Sequence, residues 1–164
     1  MPTKTTRVSS TKSKNHDAIA ALKADHRQVE EWFSQFQTSK SNSKKEQLAD
    51  TICEALTVHT TIEEEIFYPA FIQATGDKDT HHEAVVEHAE AKNLIAEIRD
   101  MSASDDYFDA KVTVLSEMIK HHVKEEEQPG GMFAKAKKST MDLGALGEQL
   151  LARKKELQAQ VKAA

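Results

Sequence analysis

Two histidine–glutamate pairs, His59/Glu63 and His122/Glu126, recur at a spacing of four residues. On a helix, residues four apart differ by about 40° in direction and about 6 Å along the axis, so each pair brings an imidazole and a carboxylate to one neighbourhood. Two further histidines, His26 and His88, stand where a leucine would be expected, on stripes of otherwise apolar residues. Imidazole and carboxylate together form a donor set for transition metals. A carboxylate has two oxygens, so each glutamate can bridge two ions, which two-metal sites hold about 3.5–4 Å apart.

The elements that must carry these residues follow from the apolar periodicity. Ile19, Leu22, His26, Val29, Phe33 and Phe36 advance in steps of three and four and define one helix, which ends at the polar cluster of residues 38–43. Leu48, Ile52, Leu56 (or Ala55), His59, Glu63, Ile66 and Ala70 define a second, which Pro69 is expected to kink or end. A third runs roughly from Thr80 to Met101, with Val85, His88, Ala91, Ile95 and Ile98 on one face. After a break with Ser104 or Asp105 as candidate cap, the fourth carries Val112, Leu115, Ile119, His122 and Glu126 and stops at Gln128-Pro129-Gly130-Gly131. Leu143, Leu146, Leu150 and Leu157 mark a C-terminal helical stretch. The expected fold is all-α: an up-down-up-down four-helix bundle over residues 16–135, with an additional C-terminal helix in 136–164 packing on it. In such a bundle the four polar stripe positions converge at one depth.

Length and composition agree. The 164 residues suffice for one domain with a core, and 30% charged against 5% aromatic residues suits a helical protein better than a sheet. Residues 1–15 carry Lys4, Arg7, Lys12 and Lys14 and no acid, and read as a disordered basic tail in preference to a transit peptide. The remainder is acidic, without the electrostatic footprint of a nucleic-acid binder. No run approaches the roughly 18 apolar residues of a membrane span. The single cysteine, Cys53, permits no internal disulfide, and no apolar leader precedes the bundle, so a cytoplasmic location is expected.

Each signal has a blander reading. A single His-x-x-x-Glu is ordinarily a surface ion pair; two of them on apolar stripes, with a lone stripe histidine in each remaining helix, are not. An unpaired carboxylate in a bundle core is very unfavourable, and a divalent cation neutralises it while occupying the imidazole lone pairs. His121 pairs with Glu125 as His122 does with Glu126, so the spacing alone leaves that ligand open. His16, His81 and His82 read as surface or capping residues. Cys53, Trp32 and Phe67 read as packing, and the outer members of Glu63-Glu64-Glu65 and Glu125-Glu126-Glu127 as solvated or supporting the ligands from behind.

The stretches Ala24-Asp25-His26, His59-Thr-Thr-Ile-Glu63-Glu64-Glu65-Ile66-Phe67-Tyr68-Pro69, Glu87-His88-Ala89-Glu90 and His122-Val-Lys-Glu-Glu126-Glu127 together resemble the hemerythrin-like, or HHE cation-binding, domain over roughly residues 16–135. The resemblance favours His122 over His121. It implies a non-haem di-iron centre bridged by carboxylates and an oxo or hydroxo species, with His26, His59, His88 and His122 as terminal ligands and Glu63 and Glu126 as bridges. It also implies dioxygen binding or sensing, iron handling, or protection from nitric oxide and peroxide. Oxygen-carrying members use a fifth histidine four residues from the third-helix ligand; here those positions are Ala84 and Lys92. His81, His82, Glu87 or water are the alternatives for the open position.

Iron is favoured over zinc because mixed imidazole–carboxylate ligation with an open position suits it. A ferritin-like site is a poorer match, since its ligands come as Glu-x-x-His. The expected activity is binding or sensing of dioxygen, nitric oxide or peroxide; the alternatives are a di-iron redox enzyme acting on peroxide or nitric oxide, and a structural zinc bundle. The expected partner is such a small ligand, with no nucleic acid and no membrane.

Overall fold

The computed structural model describes residues 17–163. The expected basic tail and His16 lie outside them. Helices account for nearly all of the described chain: α1 Ala18–Thr38, α2 Asn42–Ile62, a π turn Glu63–Phe67, α3 Tyr68–Thr75, α4 Lys78–Arg99, α5 Phe108–Glu127, α6 Met132–Lys138 and α7 Leu143–Ala163.

The ends are set by local chemistry. Asp17 caps α1 by accepting from the Ala20 N–H at 2.8 Å, and Ser41 caps α2 through the Lys44 N–H. Gly76 ends α3 in the left-handed conformation at φ 67°, and Asp77 caps α4 through Thr80, two residues earlier than the periodicity suggested. Neither Ser104 nor Asp105 caps α5. Its preceding residue is Tyr107, which makes no side-chain cap, and the Asp105 carboxylate instead accepts from the Ser102 N–H.

Pro69 does not end the second helix. Its missing N–H falls just after a turn closed by the Tyr68 N–H donating to the Glu63 carbonyl, five residues back, and the chain continues as α3. The inward stripe changes there. Ile66 and Ala70 are only half-buried, while Phe67, Tyr68 and Phe71 turn inward.

α1, α2 with its continuation, α4 and α5 form the bundle, and α7 lies against α1, α2 and the π turn. The core divides into two apolar blocks. One holds Phe33, Phe36, Leu48, Ile52, Ile95, Phe108 and Leu115; the other holds Leu22, Ile62, Phe67, Phe71, Met132, Phe133 and Leu150. α1 runs from the second block to the first, α2 returns, α4 goes out again and α5 returns, which is the up-down-up-down order. His26, His59, Glu63, His88, His122 and Glu126 are buried and belong to neither block. They form a polar layer between them.

Candidate metal centre

Each layer residue comes from a predictable place on its helix. His26 lies one turn past Leu22 on α1, His59 and Glu63 close α2, His88 lies between Ala84 and Ala91 on α4, and His122 and Glu126 end the stripe of α5. The structure brings all six together. His26 Nε2 and His59 Nε2 approach to 3.1 Å, and so do His88 Nε2 and His122 Nε2.

Both glutamates reach across the two histidine couples. Glu63 places Oε1 3.2 Å from His59 Nε2 and Oε2 3.1 Å from His88 Nε2. Glu126 places Oε2 3.3 Å from His26 Nε2 and Oε1 3.2 Å from His122 Nε2. Each half of the layer thus has two imidazole nitrogens and one oxygen from each carboxylate.

The outer ring nitrogens face carboxylates. His26 Nδ1 lies 2.8 Å from Glu127, His59 Nδ1 lies 3.0 Å from Asp25, and His122 Nδ1 bonds Glu87. Glu64 stands 3.6 Å from His88 Nδ1, beyond hydrogen-bond distance. Where a carboxylate accepts from Nδ1–H, the imidazole keeps its Nε2 lone pair free, the arrangement usual behind metal-bound histidines. Two lone pairs pointing at one another across 3.1 Å repel unless a cation lies between or beside them. Among the described residues, Glu63 Oε1 and Glu126 Oε2 are moreover buried and accept no hydrogen bond, which is costly for a carboxylate oxygen. These orphaned atoms and paired nitrogens fit two metal ions.

The electrostatics run the same way. Burial pushes the His59 imidazole towards its neutral form, but the Glu63 and Asp25 carboxylates outweigh it and hold its pKa at about 10. Burial likewise opposes the charge on His122, yet Glu126 and Glu87 hold its pKa well above the usual histidine value. Burial raises the Glu63 carboxyl, and His59 and His88 bring it well below the usual range. The carboxylates draw positive charge into the core, and protons or metal ions supply it.

One group at the centre escaped sequence reasoning. The Tyr68 hydroxyl, 1% exposed as a residue, lies 3.0 Å from His88 Nε2, 3.1 Å from Glu126 Oε1 and 3.3 Å from Glu63 Oε2. In a plain α-helix residues 63 and 68 would diverge by about 140°; the wider π turn aligns them. Tyr68 stood in the quoted motif, but only Pro69 hinted that the helix changes pitch there. Tyr68 lies on the His88 side of the layer, and burial beside Glu63 and Glu126 pushes its phenol well above the ordinary value. Of the alternatives for the open position, His81 lies edge-to-face with the Tyr68 ring, His82 is exposed, and Glu87 supports His122 from behind. His121 is 60% exposed and His122 is buried, so only the latter faces the layer. Phe133 stacks on His26 with centroids 5.9 Å apart, closing that end.

On the other side, Val29, Leu56, Ile119 and Val123 join the four imidazoles around a cavity of about 20 Å³, when roughly 10–15 Å³ suffices for a water-sized molecule. A larger cavity of about 110 Å³, polar and lined by Glu83, Glu87, Glu125 and Lys135, leads down to His122 and Glu126.

Among curated proteins, a DNA nickase of Nostoc sp. is 32% identical over 106 residues, which are 65% of this chain; the chain spans only about 30% of that relative's length. A solved hemerythrin HHE cation-binding domain-containing protein from Mycobacterium kansasii shares the fold, with a TM-score of 0.72, 21% identity and 88% of each chain covered. The family model of the hemerythrin HHE cation-binding domain matches residues 17–130, the whole span that carries the polar layer, and the chain belongs to that family.

Proposed function

We propose that this protein holds two iron ions in the polar layer and binds a small ligand of the size of dioxygen or nitric oxide there. The observation that carries the reading is the split of each glutamate: Glu63 and Glu126 each give one oxygen to the His26/His59 couple and one to the His88/His122 couple. His26 and His59 would hold one ion, His88 and His122 the other, with Tyr68 completing the second half. Nitrogen donors mixed with carboxylate and phenol oxygens favour iron over zinc. Two irons would supply reversible electron exchange with a bound oxidising ligand.

The chain's own residues do the rest. Val29, Leu56, Ile119 and Val123 keep the small cavity apolar, which favours an uncharged diatomic over water. Asp25, Glu127 and Glu87 orient three imidazoles. A second reading, a redox enzyme acting on peroxide, is favoured by one observation: the Tyr68 hydroxyl places a proton donor among the ligands.

Metal analysis with visible spectra under anaerobic and aerobic conditions tests the first reading. Two irons per chain and an oxygen-dependent, reversible spectrum are expected. A colourless, zinc-loaded protein would overturn it, and turnover of added peroxide would select the second.

A further inference from the structure

The four imidazoles are not supported alike. Glu127, behind His26, is held by Arg27; Glu87, behind His122, is approached by His121; Glu64, near His88, is held by Lys92. All of these partners belong to the bundle. Asp25, behind His59, differs. Its Oδ2 faces His59 Nδ1 at 3.0 Å, and its Oδ1 accepts from the Lys154 ammonium of α7. Lys154 lies beyond residues 17–130, the span of the family match.

The neighbouring Arg153 grips the same end of the bundle. It makes two hydrogen bonds, of 2.7 and 3.2 Å, to the Glu65 carboxylate of the π turn. Leu150, one turn earlier on α7, is 1% exposed and packs into the second apolar block. The Lys154–Asp25 pair is only partly exposed, at 30% and 15%. It lies beside a mainly apolar cavity of about 70 Å³ walled by Val29, Trp32, Ala55 and Val58. A pair so shielded is less screened by salt than a surface one.

We propose that Lys154 is a positioning residue for the metal centre: it holds Asp25 against His59 and so makes the His26/His59 half of the site depend on the docking of α7. The inference rests on the metal-centre reading above. Lys154 touches no ligand directly. It anchors the carboxylate that fixes the ring orientation and tautomer of His59, and loss of such outer partners typically costs 10–100-fold in metal affinity. The carboxylates behind His88 and His122, Glu64 and Glu87, pair with Lys92 and His121 and with no residue of α7.

The test is Co²⁺ titration of the metal-stripped full chain, followed by visible absorption and calorimetry, for wild type, Lys154→Met, Lys154→Arg and Leu150→Ala. Wild type is expected to take two ions. Lys154→Met should weaken one step roughly 10–100-fold and leave the other unchanged; Lys154→Arg, which keeps the cation, should restore it. Leu150→Ala, which loosens α7 while retaining Lys154, should weaken the same step. In the cobalt-loaded protein, the shifted proton resonance of His59 Nδ1–H should exchange faster with solvent in Lys154→Met, while that of His122 does not. Circular dichroism separates these effects from unfolding. Equal weakening of both steps, or two unchanged steps in Lys154→Met, overturns the inference alone. Failure of wild type to take two ions overturns the metal-centre reading and this inference with it.

Discussion

At the scale of single residues, Glu63 and His59 should behave differently although they are one turn apart. Glu63 faces both histidine couples, His59 only one. Glu63→Gln, nearly isosteric, should therefore lower occupancy of both ions, and His59→Ala that of one; elemental analysis of protein loaded under equal conditions distinguishes them. Full stoichiometry in both would remove these residues from the ligand set. Cys53 offers an independent check on the core. It is 1% exposed, and burial pushes its thiol up to about 11. A thiol reagent at pH 8 should react with it only as fast as the protein opens, because the thiolate is the nucleophile. Layer positions were legible in the sequence because a charged or imidazole side chain on an apolar stripe contradicts its surroundings, although His122 and Glu126 were separated from His121 and Glu125 only by the family resemblance. Tyr68 was not legible, because a tyrosine on an apolar face contradicts nothing and its direction depends on a hydrogen bond skipped at Pro69. Asp25 stood in a recognisable motif, but its partner Lys154 is 129 residues away and no local spacing could couple them.

At the scale of elements, the junction of α3, α4 and α6 carries two predictions. Asp77 caps α4, and Lys135 of α6 donates to the same carboxylate at 2.5 Å. Those hydrogen bonds, from Lys135 first and then Thr80, lower the Asp77 pKa to about 2 from 3.8. The folded value lies below the unfolded one, so this contribution is complete above about pH 4 and fades as pH falls towards 2. Asp77→Ala should cost about 1 kcal/mol at neutral pH by urea unfolding, and Asp77→Asn, which keeps a capping oxygen, less. The difference between wild type and Asp77→Asn should shrink at pH 2–3. Gly131 is fixed for another reason. A Cβ there would meet the carbonyl oxygens of Glu125, Gln128 and Glu126 at 2.4, 2.9 and 3.0 Å. Gly131→Ala should cost roughly 1–3 kcal/mol through backbone displacement, read from the same unfolding curves. The Gln-Pro-Gly-Gly stop of α5 was legible because proline and glycine there have one local purpose, whereas apolar periodicity placed the start of α4 two residues late. The start of α5 was not legible, since Tyr107 makes no cap and the burial of Phe108 outweighs the nearby serine and aspartate.

At the scale of the molecule, the four bundle helices and their order followed from period and loop length, while the separate α3 and α6 did not; the convergence of the layer followed from the antiparallel order. Metal binding to the folded chain alone should raise its stability by about 4 kcal/mol at a thousandfold excess over Kd. For a chain of this size that is a melting-temperature rise of roughly 8–16 °C, checked by circular dichroism with and without chelator. An unchanged midpoint would mean that the ion binds the unfolded chain as well or not at all.

The polar layer between two apolar blocks has a consequence for how such a sequence can vary. Within a block, leucine, isoleucine and phenylalanine can be exchanged at conserved volume for little energy. The number of residues joining one block to the other through the layer has no such latitude, because a one-residue insertion turns everything beyond it by about 100°. An insertion in α1 between Leu22 and Val29, or in α5 between Ile119 and Glu126, would force the helix to choose between a packed block and an aligned ligand. In this bundle, spacing through the layer is under tighter constraint than the identity of the residues on either side.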